Sequence, residues 1–441
     1  MNKKSSVSPG VGLSSASVVR DRSAAPGIAK RYFPRRFIMS LGSRSAFFTW
    51  LPVLALTLCA FVFNTSEFIP IGLLTDIGRD FGTSEAQTGW LITIYAWVVA
   101  VMSLPLMLLA SRMECRRLML LIVGLFVGSH CVSAVASSYG MLLISRLGVA
   151  CSHAVFWSVV SPLAVEVAPK HKRSAALGMV VAGSSIAMIA GLPLGRVLGL
   201  HLGWRMTFLV IGLTAAVALF CLWRFFPSVQ SRNAVALSKV PALLGQPALL
   251  GIYILTPLIM TGNFTVYSYI EPFLAQVTGM PAGHITWVLV AYGAVGMLGS
   301  WLFSHYNDRH PVGFMRLAVL GMAASLLLMR AAADAEATVF VLCLFWGLSV
   351  TLYNLVFQSA VIAAAPTGTA VAMSVFSGIY NVGIGSGALM GGLVCTHLTI
   401  GDIGYAGGGI AALAAGFCLL WVVPIFRKIF AAREDVHQID V

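Results

Sequence analysis

Charge is scarce in this sequence. Of 441 residues only 10% are Asp, Glu, Lys or Arg, while 59% are hydrophobic and the mean hydropathy is +0.90. A soluble globular chain is about a quarter charged, so there is too little charge here to clothe a water-facing surface. Long polar stretches are also missing: the longest polar connection inside the apolar region, 227–246, is too short to be a soluble domain. The eight cysteines form no CxxC pair and no Cys/His metal spacing. Seven of them lie within apolar runs (Cys59, Cys131, Cys151, Cys221, Cys343, Cys395, Cys418) and Cys115 sits in a basic loop, so they read as small apolar residues. There is no Gly-rich loop ending in GK[ST], no nucleophile elbow, no HExxH and no paired loop carboxylates. An enzyme is therefore not expected, and neither a cofactor nor a metal is called for. A secretory signal is not expected either, because the first apolar run starts too late and no small-residue cleavage site follows a short apolar core.

Apolar runs of about 20 residues are abundant, each long enough to cross roughly 30 Å of hydrocarbon as a helix. A membrane barrel would show short alternating segments instead. The expectation is an all-α membrane protein with spans at about 47–72, 87–109, 117–136, 141–165, 174–198, 204–226, 248–274, 284–304, 312–331, 338–362, 369–394 and 405–426. The net charge of +13 does not mark a nucleic-acid partner. Nine of the 28 basic residues lie in the first 46, and most others fall in short loops after even-numbered spans (Arg112, Arg116, Arg117, Lys170, Lys172, Arg173, Arg232, Lys239, Arg309, Arg316). That bias places those loops and both termini in the cytoplasm.

The chain divides into a basic tail, 1–45, expected to be disordered, a six-span bundle over 46–226, a linker at 227–246, a second bundle over 247–427 and a tail at 428–441. Met39 opens a second plausible start within the tail. The two bundles read as copies. "SRMECRR" answers "DRHPVGFMR", with Arg112 and Arg309 197 apart, and "GLPLG" answers "GALMG", with Gly191 and Gly387 196 apart. Offsets that agree to within one residue favour duplication, the plan of many secondary transporters, whose sites lie between repeats near the midplane.

Against this background a charged residue in a span demands a reason. Glu67 lies in the outer part of span 1, with Asn64 one turn before it and Pro70 after it, which frees a backbone carbonyl. In span 7, Asn263, Tyr267 and Glu271 recur at steps of four, so the two carboxylates are expected to face each other across a central cavity. Arg146 in span 4 lies at a depth that suits pairing with Glu67, and His153 and Trp157 continue down its face. A nearby cation favours a charged carboxylate and a dry surround the neutral acid, so Glu67, Arg146, His153 and Glu271 are the candidate proton-coupling set; the alternatives are interfacial carboxylates for Glu67 and Glu271, structural pairing for Arg146 and a hydrogen-bonded packing histidine for His153. His130 reads as structural. Tyr353, Asn354 and Gln358 in span 10, and Tyr380 and Asn381 beside Ser374 and Ser377 in span 11, join Asn64, Trp157, Asn263 and Tyr267 as candidate ligand contacts. Amides that bond hydroxyls, with rings that cover C–H faces, suit a sugar; inter-helix glue is the alternative for any single residue. Gly191, Pro193, Gly195 and Gly299, with Arg112, Arg116, Asp308 and Arg309, are candidate gating positions.

Over residues 45–430 these features resemble the major facilitator superfamily. "SRMECRR" is similar to its loop signature between spans 2 and 3, although Met107 and Ser111 stand where Gly and Asp are usual; Gly299, Asp308 and Arg309 keep it in the second half. "RLGVACSHA" resembles the span 4 signature whose arginine lies near a proton-coupling group, and "GSSIAMIAGLPLG" the span 5 signature of proton-driven exporters. "FVFNTSEFIPIGLLTDI", "GWRMTF", "YSYIEPF" and "VFSGIYNVGIGSGALMG" resemble the bacterial sugar efflux transporters. The resemblance implies two pseudo-symmetric six-helix bundles, export of arabinose-like sugars by proton antiport and a place in the bacterial inner membrane. The expected partners are a small sugar, protons and membrane lipid, with the chain a monomer. A multidrug/proton antiporter of the same fold is the second hypothesis, and a membrane enzyme or sensor a remote third.

Overall fold

The computed structural model describes residues 46–110, 113–168, 172–227, 245–307, 309–365 and 369–429. The expectations for the 1–45 tail, for most of the linker and for 430–441 fall outside them. Among the described residues, twelve helices are long and apolar enough to cross a membrane.

The first six are span 1 (Ala46–Gly72), span 2 (Glu85–Ala110), span 3 (Cys115–Ala134), span 4 (Tyr139–Val167), span 5 and span 6 (Trp204–Phe225). Span 5 runs from Arg173 to Ile186, passes through a π turn at Ala187–Gly191 and continues over Leu192–Leu202. The second six are span 7 (Pro247–Tyr267), span 8 (Ala282–Tyr306), span 9 (Pro311–Ala332), span 10 (Glu336–Ala364), span 11 (Thr369–His397) and span 12, in which Ile403–Phe417 runs into a π turn at Cys418–Val422. Short helices, Leu74–Phe81 and Ile270–Gln276, follow spans 1 and 7.

The repeat read from two motifs extends through the architecture. Helix starts recur 196 or 197 residues apart: Glu85 and Ala282, Cys115 and Pro311, Tyr139 and Glu336, Arg173 and Thr369. Even the short helices obey it, with Leu74 and Ile270 196 apart. One expectation fails here. Span 7 does not carry Glu271 on a continuous helix, because the backbone breaks at Ser268 and Tyr269 before the short helix begins. Pro272 lies in the first turn of that short helix, where a missing N–H costs little.

Connections alternate between two ends of the bundle. The end where span 6 stops and span 7 starts is here the linker face; the far face carries the short helices. On the far face, Gly203 at φ +84 lets span 5 turn directly into span 6, a conformation that favours glycine. The following Trp204 and Arg205 both reach Asp80 on the first short helix, and Arg205 also donates to Ala136 O. This is the work of "GWRMTF": it ties three far-face connections together.

Packing within each half follows one scheme. Gly191 and Gly195 of span 5 lie over Thr65 and Ile69 of span 1, Gly199 over Leu73 just beyond it, and Gly383 and Gly387 of span 11 over Met260 and Phe264 of span 7. A methyl at Gly195 would lie 2.5 Å from Ile69 Cγ1, and at Gly383 2.4 Å from Met260 Cβ. Small residues at these steps let helix backbones approach closely where no hydrophobic effect drives association.

The halves touch along two crossings that the repeat maps onto each other. Span 11 meets span 2 where Gly385 receives Trp97, and span 5 meets span 8 where Gly293 receives Ile189. Ile189 corresponds to Gly385 and Trp97 to Gly293, so each crossing has one glycine, on opposite partners. A Cβ at Gly293 would lie 2.8 Å from Ile189 Cα.

Candidate functional site

Span 1 is the backbone of the site, and its proline sets the geometry. Pro70 has no N–H, so the helical bond to the carbonyl of residue 66 cannot form. That carbonyl is buried with Ser66. Arg146 of span 4 supplies the missing donor: its Nη1 donates to Ser66 O at 3.0 Å and contacts Ser66 Oγ at 3.3 Å. The guanidinium lies over the Tyr95 ring, 4.4 Å from the centroid. The Ser66 hydroxyl continues to His130 Nε2 of span 3 at 2.9 Å.

Arg146 and Glu67 act on each other electrostatically, but not through the direct contact that the shared depth suggests. The described side chains form no Arg146–Glu67 ion pair; Arg146 is taken by the carbonyl that Pro70 freed and by an aromatic face. Glu67 is buried, 8% exposed, and its Oε2 lies 3.6 Å from His153 Nε2. Two donors of Arg146, Nε and Nη2, and the Tyr95 hydroxyl have no partner in the described structure. His153 packs edge-on to Tyr95 and tilts over Trp157. Glu67, Tyr95, Arg146 and His153 thus form one buried polar group between spans 1, 2 and 4.

Glu271 stands elsewhere. Its Oε1 accepts from Arg196 Nη1 of span 5 at 2.9 Å and its Oε2 from Thr75 Oγ1 at 2.7 Å. Arg196 also caps the last carbonyl of span 1, Gly72 O, at 3.0 Å. The two carboxylates are therefore not counterparts facing each other across a cavity. The repeat maps Glu67 to Asn263 and Thr75 to Glu271, each 196 apart.

The candidate ligand contacts divide. Tyr267 is half-buried, stacked on Tyr292 at 5.2 Å and edge-on to Trp346 at 5.8 Å. Asn263 is buried and accepts from Trp346 Nε1 at 2.9 Å, so it holds the plate rather than presenting a free amide. Tyr353 is fully buried and bonds Thr256 inside the second half, which makes it an inter-helix tie. Asn354 and Asn381 each donate to their own helix, at Val350 O and Ser377 O, and Asn381 Oδ1 is buried without a partner in the described structure. Tyr380 lies within electrostatic reach of Asn354 and of Glu67, across the halves. Gln358, Ser374 and Ser377 are exposed inside spans. Asn64 lies 3.5 Å from Ser184 O, and Trp157 is half-buried.

Of the gating candidates, Arg112 and Asp308 lie outside the described residues. Arg116 donates to Trp223 O at 2.5 Å and Arg309 is exposed. Gly191 and Gly195 pack on span 1, the intervening Pro193 is buried, and Gly299 packs on Thr351.

Sequence reasoning passed over Ser66, Tyr95 as an arginine platform, Arg196, Tyr292 and Trp346. Arg196 carried a signal: it is a cation within an apolar run, and the repeat offset joins Thr75 to Glu271 beside it.

Comparison with known proteins agrees with this architecture. The family description Major Facilitator Superfamily matches residues 56–371. A solved structure described as a bacterial homolog to the human lysosomal transporter Spinster, in an inward-facing and unoccupied conformation, aligns with a TM-score of 0.63. It covers 88% of this chain and 96% of its own at 17% identity, a likeness of fold. With twelve spans in two mapped copies and a family match over most of its length, this multi-pass membrane protein is a transporter and belongs to the Major Facilitator Superfamily.

Proposed function

We propose that the chain exports small sugars from the cytoplasm in exchange for protons, by alternating access in the bacterial inner membrane. The linker face is cytoplasmic in this reading, because the basic loops lie there. The observation that carries the coupling step is the placement of Glu67. It is a buried carboxylate whose near neighbour is a histidine, while the adjacent arginine is committed to Ser66 and Tyr95. Such an acid gains or loses a proton according to its surroundings, and coupling requires only that proton affinity differ between the two states.

The sugar reading is supported by the lining. Tyr267 and Tyr292 offer a stacked ring pair with Trp346 at its edge, Asn354 lies beside Tyr380, and Gln358 and Asn381 add amides on spans 10 and 11. Rings cover C–H faces and amides bond hydroxyls. Exposed Gln358, Ser374 and Ser377 within spans fit a water-filled cavity better than lipid. Because Glu271 is held on both oxygens, proton coupling is assigned to Glu67 alone.

The same rings suit an amphiphilic cation, so multidrug/proton antiport is the second reading. A substrate panel in proteoliposomes with an imposed pH gradient separates them. Transport of labelled arabinose without transport of cationic dyes is expected; dye transport without arabinose transport would overturn the sugar assignment.

A further inference from the structure

Two contacts across the halves join residues that the repeat makes equivalent. Thr75 and Glu271 are 196 residues apart and hydrogen-bonded at 2.7 Å. Phe68 and Phe264 are also 196 apart, and their rings stack with centroids 6.3 Å apart and 15° between planes. A symmetry operation that exchanges the halves exchanges the members of each pair. Equivalent groups can touch only close to the axis of that operation, so both contacts lie on it. In a transporter built from two repeats, the path for ligand runs along the same axis.

We infer that these residues form a two-layer gate closing the transport path at the far face. The inner layer is the Phe68–Phe264 ring pair. The outer layer, seven residues further along each chain and beyond the helix break, is Glu271 held by Thr75 and Arg196. Arg196 and Thr75 belong to one half and Glu271 to the other, so any state open to the far face must separate them.

The outer layer is built to lock and to release. Arg196 and Glu271 are 3% and 4% exposed, so the charges meet away from water, where their attraction is strong. Arg196 Nε has no partner in the described structure, which leaves the closed state incompletely satisfied. On separation Arg196 keeps Gly72 O, while Glu271 loses both donors and needs water. The lock is single because the repeat is broken there: the position equivalent to Arg196 is Gly392. Outside it, Gln276 Nε2 donates to Glu85 Oε1 at 2.8 Å on the exposed rim, a contact between halves that lies off the axis. The gate requires only that the halves move, and depends neither on sugar nor on protons. With the linker face cytoplasmic, it is the outer gate.

The test uses the full chain in lipid nanodiscs, with native cysteines replaced and spin labels at Arg79 and Ala282, exposed far-face positions in opposite halves. Distances are measured without sugar and without a gradient, so the outcome is independent of the transport assays. Glu271→Gln should raise the long-distance population roughly tenfold or more, and Thr75→Val, a milder change that keeps both charges, severalfold. Gln276→Ala should leave the distribution unchanged. Wild-type distances in both gate variants, or an equal shift in Gln276→Ala, would overturn the gate.

Discussion

The contact between Arg146 and the carbonyl of Ser66 should appear as a coupling energy between two residues that do not touch. Pro70 creates the need for a donor and Arg146 meets it at 3.0 Å. Replacing Arg146 by Met removes a charge-assisted hydrogen bond of about 2 kcal/mol and a desolvated cation–ring contact of about 2 kcal/mol. It also removes a buried cation whose insertion costs about 3 kcal/mol. The single variant is therefore destabilised by only about 1 kcal/mol, a small net effect of large opposed ones. Pro70→Ala restores an N–H that can reach Ser66 O along the helix. In that background Arg146→Met no longer orphans a buried carbonyl. A double-mutant cycle, read by denaturant unfolding in mixed micelles, should give a coupling of about 1–3 kcal/mol, with the double variant more stable than the sum of the singles. Additivity within about 0.5 kcal/mol would refute the link between proline and arginine.

Other expectations follow from the same contacts. Gly293→Leu and Gly385→Leu should each abolish transport while leaving folded protein, because both crossings between the halves are filled to the backbone; transport at the wild-type rate in either would show that they are not sliding surfaces. Under the proposed sugar reading, Tyr292→Ala should raise the KM for arabinose by about tenfold, on the scale of one lost aromatic contact, with kcat little changed; an unchanged KM would remove this ring from the site. Tyr353→Phe should lower stability by about 1 kcal/mol through loss of the Thr256 bond and leave KM unaltered; a raised KM would return Tyr353 to the ligand.

The fold was legible because the signals that specify it are collective. Span length, charge scarcity and a repeated offset are each spread over many residues, and no single contact can alter them. The far-face helix breaks were less legible, since Pro70 and Pro272 sit on different sides of equivalent breaks. Pairings were harder still. Arg146 and Glu67 share a depth; sequence shows that Pro70 frees a carbonyl, but not that Arg146 takes it. Arg196 stands out in its apolar run, but only the fold brings it to Glu271 of the other half. Tyr292 and Trp346 lie in apolar runs where aromatic residues are ordinary, and only their convergence on Tyr267 distinguishes them. Tyr353 and Asn263 are polar residues that satisfy neighbours inside one half, the role polar side chains in membranes often have.

Sugar-driven proton movement tests the coupling role of Glu67 most directly. Proteoliposomes carrying a pH-sensitive dye and no imposed pH gradient are given an outward arabinose gradient, with wild type compared against Glu67→Gln. Wild type should move protons against the sugar flux, and Glu67→Gln should pass sugar down its gradient with no proton signal. Equal proton movement in both would contradict the assignment of coupling to this buried carboxylate.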